Sequence, residues 1–376
     1  MPSLHRACPH RTDASYRAES ARARRASPGG TPRRGMSLRG PLSTVWWVPD
    51  KQIAIERAWR RPDNGTRPIM LGIAGDSAAG KTTLTKGLVE ALGSDRITAI
   101  CVDDYHRYDR VERKGLPFTP LHPSCNYIEV MEQHLQLLAL GQPILKPVYN
   151  HQQGTLDRPV LVEPREFVIA EGLLPLHSRL ARACFDVTVY LDPPEAIRRD
   201  WKIARDTGKR GYTPEQVIEE LGRREPESAA YIRPQRASAD IVVRFSPIEE
   251  RGETLADPLS AYVLLRPTIG HPDLASVLSD DTRRAMHLKL MRDEDGKPVD
   301  ALHCHAYAER ALTTQVEEAI WRELRTDDPL PGGLGQLNGN GQRSDPLAIV
   351  QLLLLFHLFA ARGRTAPDPA VAGLPG

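Results

Sequence analysis

Residues 69–83 read Ile69-Met70-Leu71-Gly72-Ile73-Ala74-Gly75-Asp76-Ser77-Ala78-Ala79-Gly80-Lys81-Thr82-Thr83. The first six are apolar or small and form a short run of the kind that becomes a buried strand. Gly75 to Thr82 then match G-x-x-x-x-G-K-[ST] without a mismatch, and Leu84 to Leu92 are helix-forming. Strand, glycine loop and helix in this order make a phosphate cradle. Backbone N–H groups from Gly75, Asp76, Ser77, Ala78, Ala79, Gly80, Lys81, Thr82 and Thr83 turn toward phosphate oxygens, and the helix N-terminus adds partial positive charge. Lys81 reaches the β/γ-phosphates, and the Thr82 hydroxyl is a Mg²⁺ ligand. The stretch therefore predicts binding of a nucleoside triphosphate with Mg²⁺.

Working outward, the next apolar run, Ile97 to Val102, ends in Asp103-Asp104-Tyr105-His106-Arg107-Tyr108-Asp109-Arg110. Ligands of open α/β sheets bind beyond the carboxyl ends of the strands, which places this cluster near the loop. Phosphoryl transfer to an alcohol needs a carboxylate to take the hydroxyl proton and cations to hold an anionic acceptor. Asp103, the first polar group off the strand, reads as that base, with a capping or purely Mg²⁺-binding acid as the alternative. His106 and Arg110 lie four apart and share a face if the segment turns helically. A third strand, Phe167 to Ala170, delivers Glu171, the expected second Mg²⁺ partner. A fourth strand ends at Leu191, and Asp192-Pro193-Pro194 reads as the start of a helix capped by Asp192. That helix carries Arg198, Lys202, Arg205 and Lys209 on one face. It is either a lid for the transferring phosphate or a solvated face, and Asp206 stands ionised among its cations. Thr213-Pro214-Glu215-Gln216 is a capping-box start. Ala239 to Phe245 is a fifth strand, so the fold class is α/β, with a mostly parallel sheet flanked by helices.

The rest of the chain is read more coarsely. Tyr127 to Leu140 is an amphipathic helix, and Pro143 to Leu156 is a polar, Pro/Gly-punctuated site loop. The core is expected over 67–246, followed over 247–362 by an α+β extension. That extension holds strands at Leu259–Leu265, Met286–Met291 and Ala301–Tyr307, a helix at Thr313–Leu324 and an apolar helix at Leu347–Ala361. Residues 363–376 read as a tail. Residues 1–66, Arg- and Ser-rich at first, read as a disordered extension or a mis-called start with Met36 as the alternative; Thr44–Trp59 is a short ordered lead-in. His303 and His305 share a strand face, but no third ligand has suitable spacing for a metal.

Composition bounds the possibilities. The net charge of +2 over 376 residues excludes a general polyanion binder, so no nucleic-acid partner is expected. The apolar run Leu347–Ala361 is short for a bilayer and contains His357, so no membrane association is expected; a buried or dimer-interface helix fits better. Five cysteines without a C-x-x-C fit a reducing, cytoplasmic setting.

With these residues placed, the chain resembles the phosphoribulokinases of the phosphoribulokinase/uridine kinase family. ICVDDYHRYDR, KPVYNHQQGTLD, VIAEGLLPL, VYLDPPEAIRRDWKIARDTGKRG and REPESAAYIRPQRASAD carry the resemblance. It implies a P-loop kinase fold and ATP-dependent phosphorylation of ribulose 5-phosphate at O1, which feeds Calvin-cycle carbon fixation. It also implies a homodimer or larger homo-oligomer. It gives Asp103 the role of base, with Asp103, Thr82 and Glu171 at the metal. It makes His106, Arg110 and Arg210 sugar-phosphate contacts, with Tyr149 and Arg224 as lesser ones. Lys81, Lys202 and Arg205 steady transition-state charge and Asp206 assists. Leu174 stands where the family commonly has His, with His177 three residues on. The plant-type relative pairs a phosphate-loop Cys with one before the Asp pair. The loop here has no Cys, so Cys101 lacks that partner and disulfide switching by that pair is expected to be absent. A uridine kinase or another small-molecule kinase is the alternative reading.

Overall fold

The computed structural model describes residues 67–365 apart from 255–256, 275–277, 279–281, 325–328 and 338–341. The expectations for residues 1–66, with Met36, Cys8 and Thr44–Trp59, and for the tail beyond Thr365 lie outside the described residues.

The chain begins with β1 (Ile69–Gly75), the phosphate loop and α1 (Lys81–Leu92). β2 (Ile97–Cys101) and a 3₁₀ turn (Val102–Tyr105) follow, then α2 (Ile128–Ala139), β3 (Ile144–Asn150), β4 (Thr155–Val162), β5 (Phe167–Gly172), α3 (Arg179–Ala183) and β6 (Val187–Leu191). α4 (Glu195–Arg210), α5 (Pro214–Glu227), a π-helical turn (Ser228–Ile232), β7 (Ile241–Ser246), β8 (Ser260–Leu265), β9 (Met286–Arg292) and β10 (Pro298–Cys304) come next. The chain then forms α6 (Arg310–Glu323), the short strands β11 (Gln336–Leu337) and β12 (Gln342–Arg343), and α7 (Asp345–Thr365).

One sheet runs β2-β5-β1-β6-β7-β8-β10-β9. The first five strands are parallel and the last three antiparallel. This is the expected α/β architecture, a mostly parallel sheet flanked by helices. β8 pairs directly on β7, and β10 and then β9 extend the sheet beyond it. The burial of β1 follows its period of two. Ile69, Leu71 and Ile73 join a core with α1, α6 and α7, whereas Met70 and Ala74 face α2 and α3. α7 is apolar nearly all round, with Gln351 and His357 as its buried polar residues, as suits an enclosed helix. Its residues Leu352, Leu353, Leu354 and Leu355 are at most 1% exposed, so its membrane-like length reflects core burial within this chain.

Four local expectations are corrected. Residues 143–156 are not a loop: Ile144, Val148 and Tyr149 make β3, paired antiparallel with β4 from Ile144–Val162 to Asn150–Thr155. Pro147, which lacks an N–H, falls at the irregularity in that ladder. Asp192 does not cap α4, because its carboxylate is taken by Arg236 and Arg244 and the helix starts after Pro194. His106 and Arg110 do not share a helical face. The 3₁₀ turn ends at Tyr105, and His106 is extended and bridged to Asn126. The last hairpin strand is Pro298–Cys304, three residues earlier than expected, because the turn closes as soon as Asp293 N–H bonds the Lys297 carbonyl.

Gly87 in α1 lies against Gln351 of α7. An added Cβ would fall 1.9 Å from Nε2 and 2.6 Å from Cδ of Gln351. Gln351 is fully buried and its Oε1 accepts from the Gly335 N–H at 2.7 Å, so it is not free to swing aside. Gly87→Val is therefore expected to destabilise the protein by about 1–3 kcal/mol through overpacking. Urea unfolding would show a lower midpoint at unchanged slope; an unmoved midpoint would refute the contact.

Candidate active site

Sequence alone determines the loop's shape. Gly80 adopts a left-handed φ of 94°, and Gly75 packs so closely that a Cβ would sit 2.8 Å from the Leu191 carbonyl. Ala78 is also left-handed at φ 67°. Strain of this kind collects at ligand-binding turns. Lys81 is buried and donates to the carbonyls of Gly75 at 2.8 Å and Asp76 at 2.9 Å. α1 starts with no side-chain cap and no acid in its first turn. Its leading N–H groups are thus left to an anion. Thr82 is exposed, Thr83 half-buried and Ala79 buried beneath the loop.

α4 lies over this loop, basic face inward. Arg198 is held by Glu195 at 2.7 Å and donates to the Ser77 carbonyl at 3.2 Å. Arg205 reaches the Ser77 hydroxyl at 3.3 Å and Asp206 at 2.8 Å. Lys202 donates to Asp206 at 2.8 Å, and Arg210 lies 3.4 Å from the same acid. Burial, with Arg224 nearby, pulls Lys202 down to about 8 against the pull of Asp206. Burial alone would raise Asp206, but hydrogen bonds from Arg205 and Lys202 outweigh it and hold the carboxyl at about 2. Asp76 accepts from the Ser77 N–H at 2.7 Å and from the hydroxyl of Ser228, and lies 3.6 Å from Arg198. The loop is thereby tied to α4 and to the π-helical turn. Arg224, on α5, pairs with Glu220 and borders a cavity of about 10 Å³ with Asp76, Lys202 and Ser228.

Two acids meet at the strand ends. Asp103 Oδ1 accepts from the Leu173 N–H at 2.8 Å, and Glu171 Oε1 accepts from the Thr82 hydroxyl at 3.0 Å. Cys101 and Glu171 are register partners, which fixes the two carboxylates on neighbouring strands. Burial raises Glu171, with Lys81 opposing and Asp103 reinforcing. Burial also raises the Cys101 thiol well above its usual range, with Asp103 and Glu171 adding to it, so Cys101 is a neutral thiol. Among the described residues, no group of three or more His, Cys, Asp or Glu is arranged to hold a metal by itself. Two carboxylates and a hydroxyl instead suit a hard divalent cation whose remaining oxygens come from phosphates.

The β3–β4 hairpin closes the other side. Asp104 pairs with Lys146 and accepts from the Tyr149 N–H at 3.1 Å. Tyr149 is buried, with the His106 ring 4.8 Å and the His151 ring 5.0 Å from its own. Arg110 donates to the His151 carbonyl at 2.7 Å and packs on Gly154. His106 and Arg110 thus converge through the hairpin. His106 Nδ1 donates to Asn126 Oδ1 at 2.7 Å, and burial lowers the imidazole to about 4 despite Asp103. Leu174 packs with Leu121, Leu173 and Ile232 in a small apolar cluster, while His177 is half-buried near Tyr231.

The structure brings the loop, Asp103, Glu171 and the α4 cations together at one end of the sheet. Sequence reading missed Lys146, Asn126, Arg113 and Ser228. Lys146 lay in a stretch read as loop; as a strand, its period of two with buried Ile144 would have turned it inward. Asn126, Arg113 and Ser228 carry no local signal, because their partners are distant in sequence.

A family model described as Phosphoribulokinase / Uridine kinase family matches residues 70–250. A phosphoribulokinase from Synechocystis sp. is 42% identical over 181 residues, covering 48% of this chain and 54% of that protein. The chloroplastic phosphoribulokinase of Spinacia oleracea is 35% identical over 198 residues, covering 48% of this chain and 49% of that protein. A uridine kinase from Deinococcus deserti is 30% identical over 205 residues, covering 52% of this chain and 96% of that protein. The chain spans about half the length of the phosphoribulokinases it matches.

The depressed Asp206 carboxyl has a consequence for stability. Its contribution is fully present above the unfolded value of 3.8 and is lost as pH falls through about 2. Lys202 is charged in both states across that window and adds no slope there. Denaturant unfolding at pH 5 and pH 3 should show a loss in the native chain that shrinks by on the order of 1–2 kcal/mol in Asp206→Asn. An identical acid slope in the variant would show that Asp206 is not held ionised by its cations.

Proposed function

We propose that this chain, which belongs to the phosphoribulokinase/uridine kinase family, transfers the γ-phosphoryl group of ATP to O1 of ribulose 5-phosphate. The observation that carries this reading is the pairing of Asp103 with a cation-lined hairpin at the carboxyl ends of β2 and β5. A carboxylate in reach of the phosphate loop is what an alcohol acceptor needs. Arginines beside Tyr149, with neutral histidines as hydrogen-bonding groups, suit an acceptor that is itself an anion.

The loop and the uncapped start of α1 hold the triphosphate, with Lys81 as the cation of the cradle. Thr82, Glu171 and Asp103 hold Mg²⁺. When bound, Mg-ATP supplies the phosphoryl group, and the cation neutralises charge on its oxygens. Asp103 is fixed by the Leu173 N–H and takes the proton from the sugar hydroxyl through its free oxygen. Lys202 and Arg205, held by Asp206, face the loop and stabilise charge on the moving group. His106, Arg110, Tyr149, Arg210 and Arg224 hold the sugar phosphate. His106, kept neutral, contributes a hydrogen bond and not a charge. The same reading makes the protein a homodimer or larger assembly in the cytoplasm, without nucleic acid or membrane partners. The core over 67–246 carries the chemistry and 247–362 supports it.

A uridine kinase activity is the second reading, favoured by a match that spans 96% of the Deinococcus deserti uridine kinase. Coupled ADP release with ribulose 5-phosphate, with uridine and with no acceptor separates the two. Stimulation by ribulose 5-phosphate alone is expected; stimulation by uridine alone would replace the proposal. Asp103→Asn should leave ATP binding nearly intact and lower turnover about 10²–10⁴-fold, the usual worth of general-base catalysis. Undiminished turnover would assign the proton to another group.

A further inference from the structure

α5 ends in Pro226 and Glu227 and passes directly into the π-helical turn Ser228–Ile232. Pro226 lacks an N–H and crowds the carbonyl four residues back, which is how a proline disturbs a helix interior. π-helical turns are rare and collect at functional sites. At this junction two neighbouring residues reach different loops. Ser228 is 2% exposed, and its hydroxyl donates to the carboxylate of Asp76 in the phosphate loop. Glu227 holds Thr119, 108 positions away in sequence. Its two oxygens accept the Thr119 N–H at 2.9 and 3.0 Å, and one of them also accepts the Thr119 hydroxyl. Thr119 is itself buried. Hydrogen bonds to a carboxylate are roughly twice as strong as neutral ones, so this is a firm attachment.

Thr119 belongs to the acceptor loop, the segment between β2 and α2 that also carries His106 and Arg110. Residues 116–126 of that loop are knitted by their own hydrogen bonds. Asn126 Nδ2 donates to the carbonyls of Pro120 at 3.0 Å and His122 at 2.9 Å, while its Oδ1 accepts from His106. His122 Nδ1 accepts from the Ser124 N–H at 3.1 Å. That leaves the ring proton on Nε2, which donates to the Tyr231 hydroxyl at 3.0 Å. Tyr231 stands in the same π-helical turn as Ser228. A continuous run of covalent and hydrogen bonds therefore leads from Asp76 through Ser228 and Glu227 to Thr119, and on through Asn126 to His106. Adjacent residues of a helical segment keep a fixed separation. A shift of Asp76 is thus passed on to Thr119, or one of the two attachments breaks.

We propose that Glu227 is a positioning residue that, with Ser228, couples the phosphate loop to the acceptor loop, so that a nucleotide held on the first orders residues 116–126 of the second. This rests on the kinase reading above, which makes the two loops the donor and acceptor halves of one site. Glu227 acts through Thr119 and not on the reacting atoms. Coupling of this kind is reciprocal, so an acceptor that orders the same loop tightens nucleotide binding by the same factor.

The test follows amide hydrogen exchange in the full chain, with and without Mg²⁺ and a saturating non-hydrolysable ATP analogue, and so needs no acceptor. In native protein the analogue should slow exchange over residues 116–126 about 5–150-fold, the range of ordinary coupling energies. Glu227→Ala and Ser228→Ala should each cut that slowing to less than about twofold, although only the first touches Thr119. Glu227→Gln, which keeps one acceptor oxygen, should fall between. A loop merely stapled to the fold by Glu227 would exchange faster in Glu227→Ala by the same factor with and without the analogue. That result overturns the proposal, as does native protein in which the analogue leaves residues 116–126 unchanged. If Glu227→Ala fails to fold, Ser228→Ala decides by the same criterion. Coupled ADP release separates this inference from its parent. Protection that depends on nucleotide and on Glu227, in a protein that does not turn over ribulose 5-phosphate, ends the substrate reading and supports the coupling. Turnover of ribulose 5-phosphate with protection that survives both alanine variants overturns the coupling and leaves the substrate reading standing.

Discussion

Strands β2 and β5 can bring Asp103 beside Glu171 only because nothing projects from residue 172. A Cβ at Gly172 would lie 2.7 Å from Asp103 Oδ1 and 2.5 Å from Val102 Cγ2. The missing side chain lets the turn after β2 fold down onto the end of β5. There the Leu173 N–H takes one oxygen of Asp103 and leaves the other free. Everything chemical about the site follows from that close approach. It puts Asp103 within the field of Glu171, and Glu171 in hydrogen-bond contact with Thr82. It therefore joins the carboxylates to the phosphate loop. Even a methyl group there would push the acids apart and open the site without touching the loop.

Charge is arranged around that point with unequal solvation. On the α4 side, Lys202, Arg205 and Arg210 converge on the single carboxylate of Asp206 in a network that sits on Ser77 and Asp76. Such a network fixes its members' positions while leaving positive charge in excess. On the hairpin side, burial lowers the imidazoles of His106 and His151, and Asp104 is paired with Lys146. The two sides thus differ. Beside the loop three cations share one acid, whereas around Tyr149 the histidines offer hydrogen bonds without charge.

Legibility from sequence divided along the same line. The phosphate loop was readable because each of its requirements is local: two glycines, a lysine and a hydroxyl at fixed offsets between strand and helix. The parallel strands were readable from apolar runs with acids at their ends, and the capping box at Thr213 and Gln216 formed as its residues dictate. The hairpin was not. Its strands carry Pro147 and end in the polar turn Asn150 to Gly154, a composition that reads as loop. β4 is exposed along nearly its whole length and lacks the alternation that marks a half-buried strand. Asp192 was misread for a related reason. Before two prolines it has the composition of a cap, but Arg236 and Arg244, more than 40 residues away, offer its carboxylate stronger partners than helix N–H groups do.

The buried C-terminal helix extends this argument to the whole fold. Composition gave α7 two possible destinations, a core or an interface, and the deciding residue is Gln351. In a membrane or at a greasy dimer contact, a lone amide in the apolar stripe would be a liability. Here it is placed against the one glycine of α1 that leaves room for it, and its oxygen receives the Gly335 N–H. The helix that begins at Lys81 is thus seated against α7 where Gly87 leaves room for Gln351, and the amide oxygen of Gln351 is held by the Gly335 N–H. A sliding or rotation of α7 would bury Gln351 against apolar side chains, so the amide fixes the register that bulk hydrophobicity leaves open. Rigidity at the phosphate loop, where small displacements cost the most in catalysis, is supplied from residues more than 260 positions away in sequence.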